Sequence, residues 1–197
     1  MDSNYGIKIW SDDNFIIEDG LAKINYDCKP SLISIVKDVR KQDFKGPLLL
    51  RFPHITEKQI NTLYNTFNAS IREYDYKGTF SAVFPLKVNQ LPNFIHPLIN
   101  CGKIFNYGLE AGSKAELVIA MTYNNIGAPI TVNGFKDKEM IHLCFIAKNM
   151  GHNITIIIEG LNELEMIIEV LNETKLACPN IGLRVRLHSG GSGMWAK

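Results

Sequence analysis

The residues best suited to chemistry in this sequence stand singly, and most of them close an apolar run. In Phe84-Pro85-Leu86-Lys87-Val88-Asn89-Gln90 a lysine ends a strand-like stretch, with Asn89 close behind it. Among apolar neighbours a lysine loses its charge more readily, and its neutral amine can attack an aldehyde to form an imine. Glu110 follows the run Ile104 to Leu109, with Ser113 and Glu116 just beyond. Asn133 follows Pro129 to Val132, and Glu159 follows Asn153 to Ile158. The last run carries Arg184 and Arg186, then His188 and Gly190-Gly191-Ser192-Gly193.

One lysine, two or three carboxylates, an arginine and a glycine-rich loop form the set that pyridoxal phosphate (PLP) chemistry needs. The lysine attaches the aldehyde as a Schiff base, a carboxylate holds the cofactor, and backbone N–H groups take its phosphate. Each residue also has a plain structural use. Lys87 would serve as a solvated strand-end lysine, and Ser113 and Glu116 as helix caps. Arg184 and Arg186 would pair with neighbouring acids, and Gly190 to Gly193 would be an open loop. By themselves the residue types support a phosphate-liganding enzyme of unspecified reaction.

The elements that must position these residues repeat as whole units from Gly46 onward. Apolar runs at 48–52, 80–86, 104–109, 129–133, 153–158 and 181–187 read as strands. The run 153–158 has no alternation and so reads as buried on both faces. Between the strands lie helical patterns. Thr56-Glu57-Lys58-Gln59 and Ser113-Lys114-Ala115-Glu116 read as capping boxes. Other helices are expected from Pro92, from about Asp137 to Gly151, and from Asn162. Ile60, Leu63, Tyr64, Phe67 and Ile71 share one helical face.

Strict alternation of strand and helix implies a parallel sheet with right-handed crossovers. A doubly wound sheet and a (β/α)₈ barrel both fit. The even spacing of roughly 25 residues, and polar residues after several strands instead of at one switch point, favour the barrel. A full barrel takes about 250 residues, and only about 150 follow Gly46. The expected fold is therefore α/β, a partial (β/α)₈ TIM barrel over residues 46–197, preceded by N-terminal strands. Residues 1–45 hold three strand-like runs (Tyr5 to Trp10, Asn14 to Glu18, Ala22 to Tyr26) and a lead-in helix capped by Ser31. So small a set of strands is marginal alone and is expected to join a β-domain supplied elsewhere.

Composition narrows the function classes. The 197 residues are 46% hydrophobic and 21% charged, with a net charge of +1 and no run of five basic residues. Nucleic-acid binding driven by bulk charge is therefore not expected. The sequence has no apolar stretch of membrane-spanning length and no basic-then-apolar leader, so a cytoplasmic location and no membrane partner are expected. Cys28, Cys101, Cys144 and Cys178 are too scattered for a zinc site or a disulfide framework, and no metal-ligating residues are assigned.

Phe84-Pro85-Leu86-Lys87-Val88-Asn89-Gln90 resembles the Schiff-base motif of the biosynthetic arginine decarboxylases, whose PLP barrel is alanine-racemase-like. Leu109-Glu110-Ala111-Gly112-Ser113-Lys114-Ala115-Glu116-Leu117 is similar to that family's second signature. Asn133-Gly134-Phe135-Lys136-Asp137, Arg184-Val185-Arg186-Leu187 and the opening Tyr5-Gly6-Ile7 with Trp10 also match, in order. The resemblance implies decarboxylation of L-arginine to agmatine for putrescine and spermidine synthesis, with PLP and magnesium as cofactors. It makes Lys87 the catalytic lysine, with Glu110 and Arg184 meeting the cofactor and Glu116 supporting Arg184 from behind; Asn89, Ser113 and His188 are expected to meet the cofactor too, by their places after the strands. It also implies a homo-oligomer in the full-length protein, with active sites formed between two subunits. Family members are roughly three times this length, so the phosphate loop, the substrate-binding acid and the proton-returning cysteine are expected beyond Lys197.

Two rival readings exist. A non-catalytic barrel that carries PLP needs only the lysine and a phosphate loop, but would lack the strands between Tyr5 and Tyr26. A metal-dependent hydrolase needs clustered His and Asp at strand ends, where only His188 stands. On the decarboxylase reading the isolated 197-residue chain releases no CO₂ from arginine in a radiometric assay; clear turnover would show that it carries a complete site.

Overall fold

The computed structural model describes residues 6–185. Tyr5, Arg186, His188 and the Gly190 to Gly193 loop lie outside them. Two compact units are present, Met1–Gln59 and Ile60–Lys197.

In the first unit, helix α1 (Ile7–Trp10) stands where a strand was expected. The Ser11 N–H donates to the Ile7 carbonyl at 2.9 Å, and the Asn14 amide donates to the Ser11 carbonyl at 2.7 Å, so local groups close a turn in place of a ladder. Strands β1 (Phe15–Glu18) and β2 (Leu21–Ile24) then pair antiparallel about the Asp19-Gly20 turn, as the sequence suggests. Ser31 caps α2 (Leu32–Arg40) by accepting the Ser34 N–H. Residues 48–52, expected to be the first strand of the sheet, have no regular structure. Their apolar side chains are used inside this unit instead: Phe52 meets Phe15 edge-on at 5.2 Å, and Leu50 and Phe52 line an apolar cavity of about 380 Å³ with Trp10 and Leu32.

Helix α3 (Pro53–Glu73) begins three residues before the expected capping box. Pro53 accounts for the early start, because its φ is already helical and it has no N–H to leave unpaired in the first turn. Ile60 and Tyr64 from its predicted face are buried, whereas Leu63 and Phe67 are more than a third exposed.

The second unit holds a parallel sheet of five strands in the order β3-β4-β5-β6-β7. They are β3 (Val83–Pro85), β4 (Gly108–Ala111), β5 (Pro129–Val132), β6 (Asn153–Ile158) and β7 (Asn180–Leu183). Helices α4 (Pro92–Gly102), α5 (Lys114–Tyr123), α6 (Lys138–Asn149) and α7 (Leu161–Thr174) connect them. The fold is thus α/β with a parallel sheet, with one strand fewer than expected among the described residues. Expected run 104–109 is displaced: Lys103–Phe105 is a 3₁₀ turn that ends α4, Ile104 is exposed, and the strand itself runs Gly108–Ala111. Glu110 therefore lies inside a strand, not after one.

Among the described residues the helices cover one face of this sheet. Leu109, Ile130 and Ile154 stand in line on that face, with Val132 and Ile156 as the next pair along, all with no exposure and packed with Leu117, Ile141 and Phe145 from the helices. On the other face Glu110, Thr131 and Thr155 are register partners and all half-buried. Strand β6 therefore alternates between buried and half-buried positions, which corrects the expectation of burial on both faces. An apolar run such as Ile154 to Ile158 does not reveal which of its faces lacks a cover.

Strands β4 and β5 approach closely where Gly108 faces Pro129. A Cβ on Gly108 would stand 2.0 Å from the Pro129 carbonyl oxygen. Backbone cannot yield as a flexible side chain can, so Gly108→Ala is expected to destabilise the second unit by about 3 kcal/mol or more. Thermal unfolding followed by circular dichroism checks this; an unchanged melting temperature would mean that the strands can separate at no cost.

Candidate active site

Parallel strands deliver their C-terminal ends to one edge, and the polar residues of the sequence collect there. The chain leaves β3 at Pro85 in a tight turn, closed by the Val88 N–H donating to the Pro85 carbonyl at 3.0 Å. Leu86 is fully buried and its N–H donates to the Glu110 carbonyl, which pins the turn to β4. Lys87 is thereby held next to an anchored residue, yet it is itself exposed. Leu86 turns into the core, so among the described residues the apolar enclosure expected from the sequence does not form around Lys87. Among the described residues the Lys87 amine has no hydrogen-bond or ion-pair partner. Glu110, the register partner of Pro85, is half-buried and its carboxylate likewise has none.

Asn89 and Ser113 act locally. The Asn89 side-chain oxygen accepts the Leu91 N–H at 3.0 Å, just before α4. Ser113 caps α5 by accepting the Glu116 N–H at 3.2 Å. Glu116, only 8% exposed, is not a partner of Arg184. One of its oxygens accepts the Gln90 amide at 2.8 Å and the other the Gly112 N–H at 2.6 Å. It thus joins the turn that carries Lys87 to the loop after β4, a role that the capping-box pattern did not disclose.

Arg184 leaves the end of β7 with its N–H donating to the Ile158 carbonyl, and its guanidinium pairs with Glu159 at 3.0 Å. The same Glu159 oxygen accepts the Gly134 N–H at 2.7 Å. Burial alone would raise the Glu159 carboxyl, but the Gly134 N–H, Arg184 and Lys136 together hold it below the usual carboxylate range. Asn133 follows β5 and its side-chain oxygen accepts the same Gly134 N–H at 3.1 Å. Lys87 and Arg184 stand at opposite margins of the sheet, four strand steps apart, which is roughly 19 Å along a flat sheet and less along a curved one.

Beneath Glu159 lies an ion pair that sequence reasoning missed. Lys136 and Glu163 meet at 3.1 Å with side chains 0% and 3% exposed. Glu163 also accepts the Lys136 N–H at 3.2 Å and the Glu159 N–H at 2.9 Å, and the Lys136 ammonium donates to the Gly134 carbonyl. The signal was available: Lys136 and Glu163 hold nearly equivalent places after consecutive strands, one repeat apart.

No family model matches the sequence. A biosynthetic arginine decarboxylase from Prochlorococcus marinus (strain AS9601) is 37% identical over 201 residues, which is 99% of this chain and 31% of that protein. Its counterpart from Gloeobacter violaceus (strain ATCC 29082 / PCC 7421) is 40% identical over 165 residues, covering 83% of this chain and 26% of its own. The crystal structure of the biosynthetic arginine decarboxylase from Campylobacter jejuni is 62% identical, with a TM-score of 0.91 over 94% of this chain and 31% of that one. The chain matches the biosynthetic arginine decarboxylases. It spans between about a quarter and a third of the length of these relatives. Diaminopimelate decarboxylase from M. jannaschi shares the fold at a TM-score of 0.63 and 24% identity, over 88% of this chain and 36% of its own. Across the match to the arginine decarboxylases lie both Lys87 and the Glu159–Arg184 pair, at the two margins of one sheet edge.

The buried pair makes a sharp test of the site's construction. Glu163→Leu leaves the Lys136 ammonium buried without its partner and two N–H groups without their acceptor, at an expected cost of about 3–5 kcal/mol. Adding Lys136→Met is expected to recover part of that loss in urea unfolding. A double variant no more stable than the single one would show that the charge itself was not the source of the cost.

Proposed function

We propose that this chain is part of a PLP-dependent decarboxylase that converts L-arginine to agmatine and CO₂, supplying polyamine synthesis. The observation that carries the reading is the pair Lys87 and Glu110, an amine and a carboxylate on adjacent strands of the edge, neither with a partner among the described residues. Identity of 36–40% to curated arginine decarboxylases over most of the chain supports the reaction. Those relatives are named decarboxylases, which lends the cofactor-carrier alternative no support.

The residues present fit PLP by the chemistry of their donor set. An exposed primary amine stands ready for the aldehyde carbon, and a half-buried carboxylate and a guanidinium serve the same sheet edge. When bound, PLP supplies an electron sink for the pair left behind as CO₂ departs. Lys87 would hold the cofactor through Nζ. Glu110 and Arg184 would orient the cofactor, and Asn89 and Ser113 would shape the loops beside it. His188 joins the set by its place in the sequence after the last strand, with no matching family histidine, and magnesium belongs to the family description without an assigned site.

The partial-barrel reading accommodates the distance between Lys87 and Arg184. A five-stranded parallel sheet that curves toward closure brings its first and last strands to face each other across the interior. Residues 46–197 would be the first part of that alanine-racemase-like barrel, and residues 1–45 would join a β-domain built from further chain. The full-length protein would act as a homo-oligomer in the cytoplasm.

Borohydride reduction of the PLP-loaded full-length protein, followed by peptide mapping, tests the reading. The reduced cofactor is expected on Lys87, and Lys87→Ala is expected to remove the label and to lower arginine decarboxylation by at least about three orders of magnitude. A label on another lysine would refute the assignment.

A further inference from the structure

The geometry points to Glu159 as the positioning residue that aims Arg184, with the buried Lys136–Glu163 pair fixing Glu159 in turn. The inference rests on the reading above, in which Arg184 meets the cofactor. It replaces Glu116 in that supporting place, since both Glu116 oxygens are engaged by Gln90 and Gly112.

Arg184 needs such a partner. Its side chain is 61% exposed, so without a fixed acceptor it would sample many rotamers and lose entropy each time a ligand was held. Glu159 differs from an ordinary surface acid. It is 18% exposed, and the oxygen that takes Arg184 also takes the Gly134 N–H at 2.7 Å. Gly134 stands at φ +82°, a conformation that side chains rarely adopt, and its carbonyl is held by the Lys136 ammonium. Glu163 ties the same assembly from below by accepting the backbone N–H groups of both Glu159 and Lys136. The loops after β5 and β6 are therefore locked together, and the guanidinium on β7 is locked to them.

A fully buried ion pair is poor value as a stabiliser, since apolar residues of similar volume often serve as well. What it provides here is direction: three successive strand ends keep one register, and one carboxylate oxygen points at the strand that bears Arg184. Glu159 touches neither substrate nor cofactor in this assignment, and its effect passes through Arg184.

PLP binding to the full-length apoprotein, titrated by absorbance and fluorescence, tests this with four proteins: Arg184→Ala, Glu159→Gln, the double variant and the unmodified chain. Each single variant is expected to weaken PLP affinity about tenfold, the scale of one charge-assisted hydrogen bond. The double variant is expected to be no weaker than Arg184→Ala alone. If the two losses multiply, Glu159 acts on the loop and not through Arg184, and the positioning role is overturned. Unchanged affinity in Glu159→Gln overturns it as well. Should Glu159→Gln fail to fold, Glu159→Asp keeps the charge while withdrawing it by one methylene. A loss of about threefold, absent in the Arg184→Ala background, is then expected, and a loss that persists in that background overturns the role. If the unmodified full-length protein takes up no PLP at all, the cofactor reading falls and this inference with it, an outcome distinct from additive losses in a protein that does bind.

Discussion

A parallel sheet constrains where polarity can go. Each strand must return to the same end before it can pair with the next, so every strand releases its C-terminal residues at one edge. In this chain the pairing of Pro85 with Glu110, Thr131 and Thr155 places those releases in line. Lys87, Asn133, Glu159 and Arg184 all stand just past such positions. They are separated by almost a hundred residues in sequence and share an edge only because the ladder is continuous. Gly108 is the point at which that continuity is most exposed to damage, since β4 and β5 have no room there for a side chain.

The two sheet faces divide the labour. Helices α4 to α7 supply the cover for Leu109, Ile130, Ile154 and Ile156, and this face holds the apolar core. The other face keeps Glu110, Thr131 and Thr155 half-buried. A carboxylate is tolerable there because water reaches it, whereas on the helical side it would need a buried partner as Glu163 does. The same logic explains why Glu110 lies within β4 and still belongs with the edge residues. Unpaired charge is placed where a ligand can reach it, and paired charge is placed where it fixes the loops.

Much of this was legible in the sequence from Phe80 onward. Strand β6, the Ser113 cap and the alternation of strand with helix all follow from local pattern, which is strong when one unit repeats. The 48–52 segment failed because an apolar run states that it must be covered but not by what, and Phe15 of β1 meets Phe52 where a partner in the parallel sheet was expected. The α3 start was missed because the capping-box signal was weighed above Pro53. The Glu159–Arg184 and Lys136–Glu163 pairs were hidden for a different reason. Each joins residues about 25 positions apart across parallel neighbours, and which pairs meet depends on register, which no local pattern carries. Local pattern also misdirected the reading of Lys87: Leu86 before it turns into the core, while Val88 after it is exposed as Lys87 is.

The strand order β3-β4-β5-β6-β7 is the order of synthesis. Each strand after the first pairs with one already made, and each helix closes over the strand just added. Contacts of this kind are close in sequence, so a growing chain can add one unit at a time without waiting for a distant partner. The cost falls on the newest edge. Ile181 and Leu183 on β7 are 44% and 74% exposed on the face that earlier strands bury, at the margin of the sheet among the described residues. At each stage of elongation the nascent sheet therefore presents a sticky margin, and the rate at which the next unit arrives sets how long that margin stays open to wrong partners.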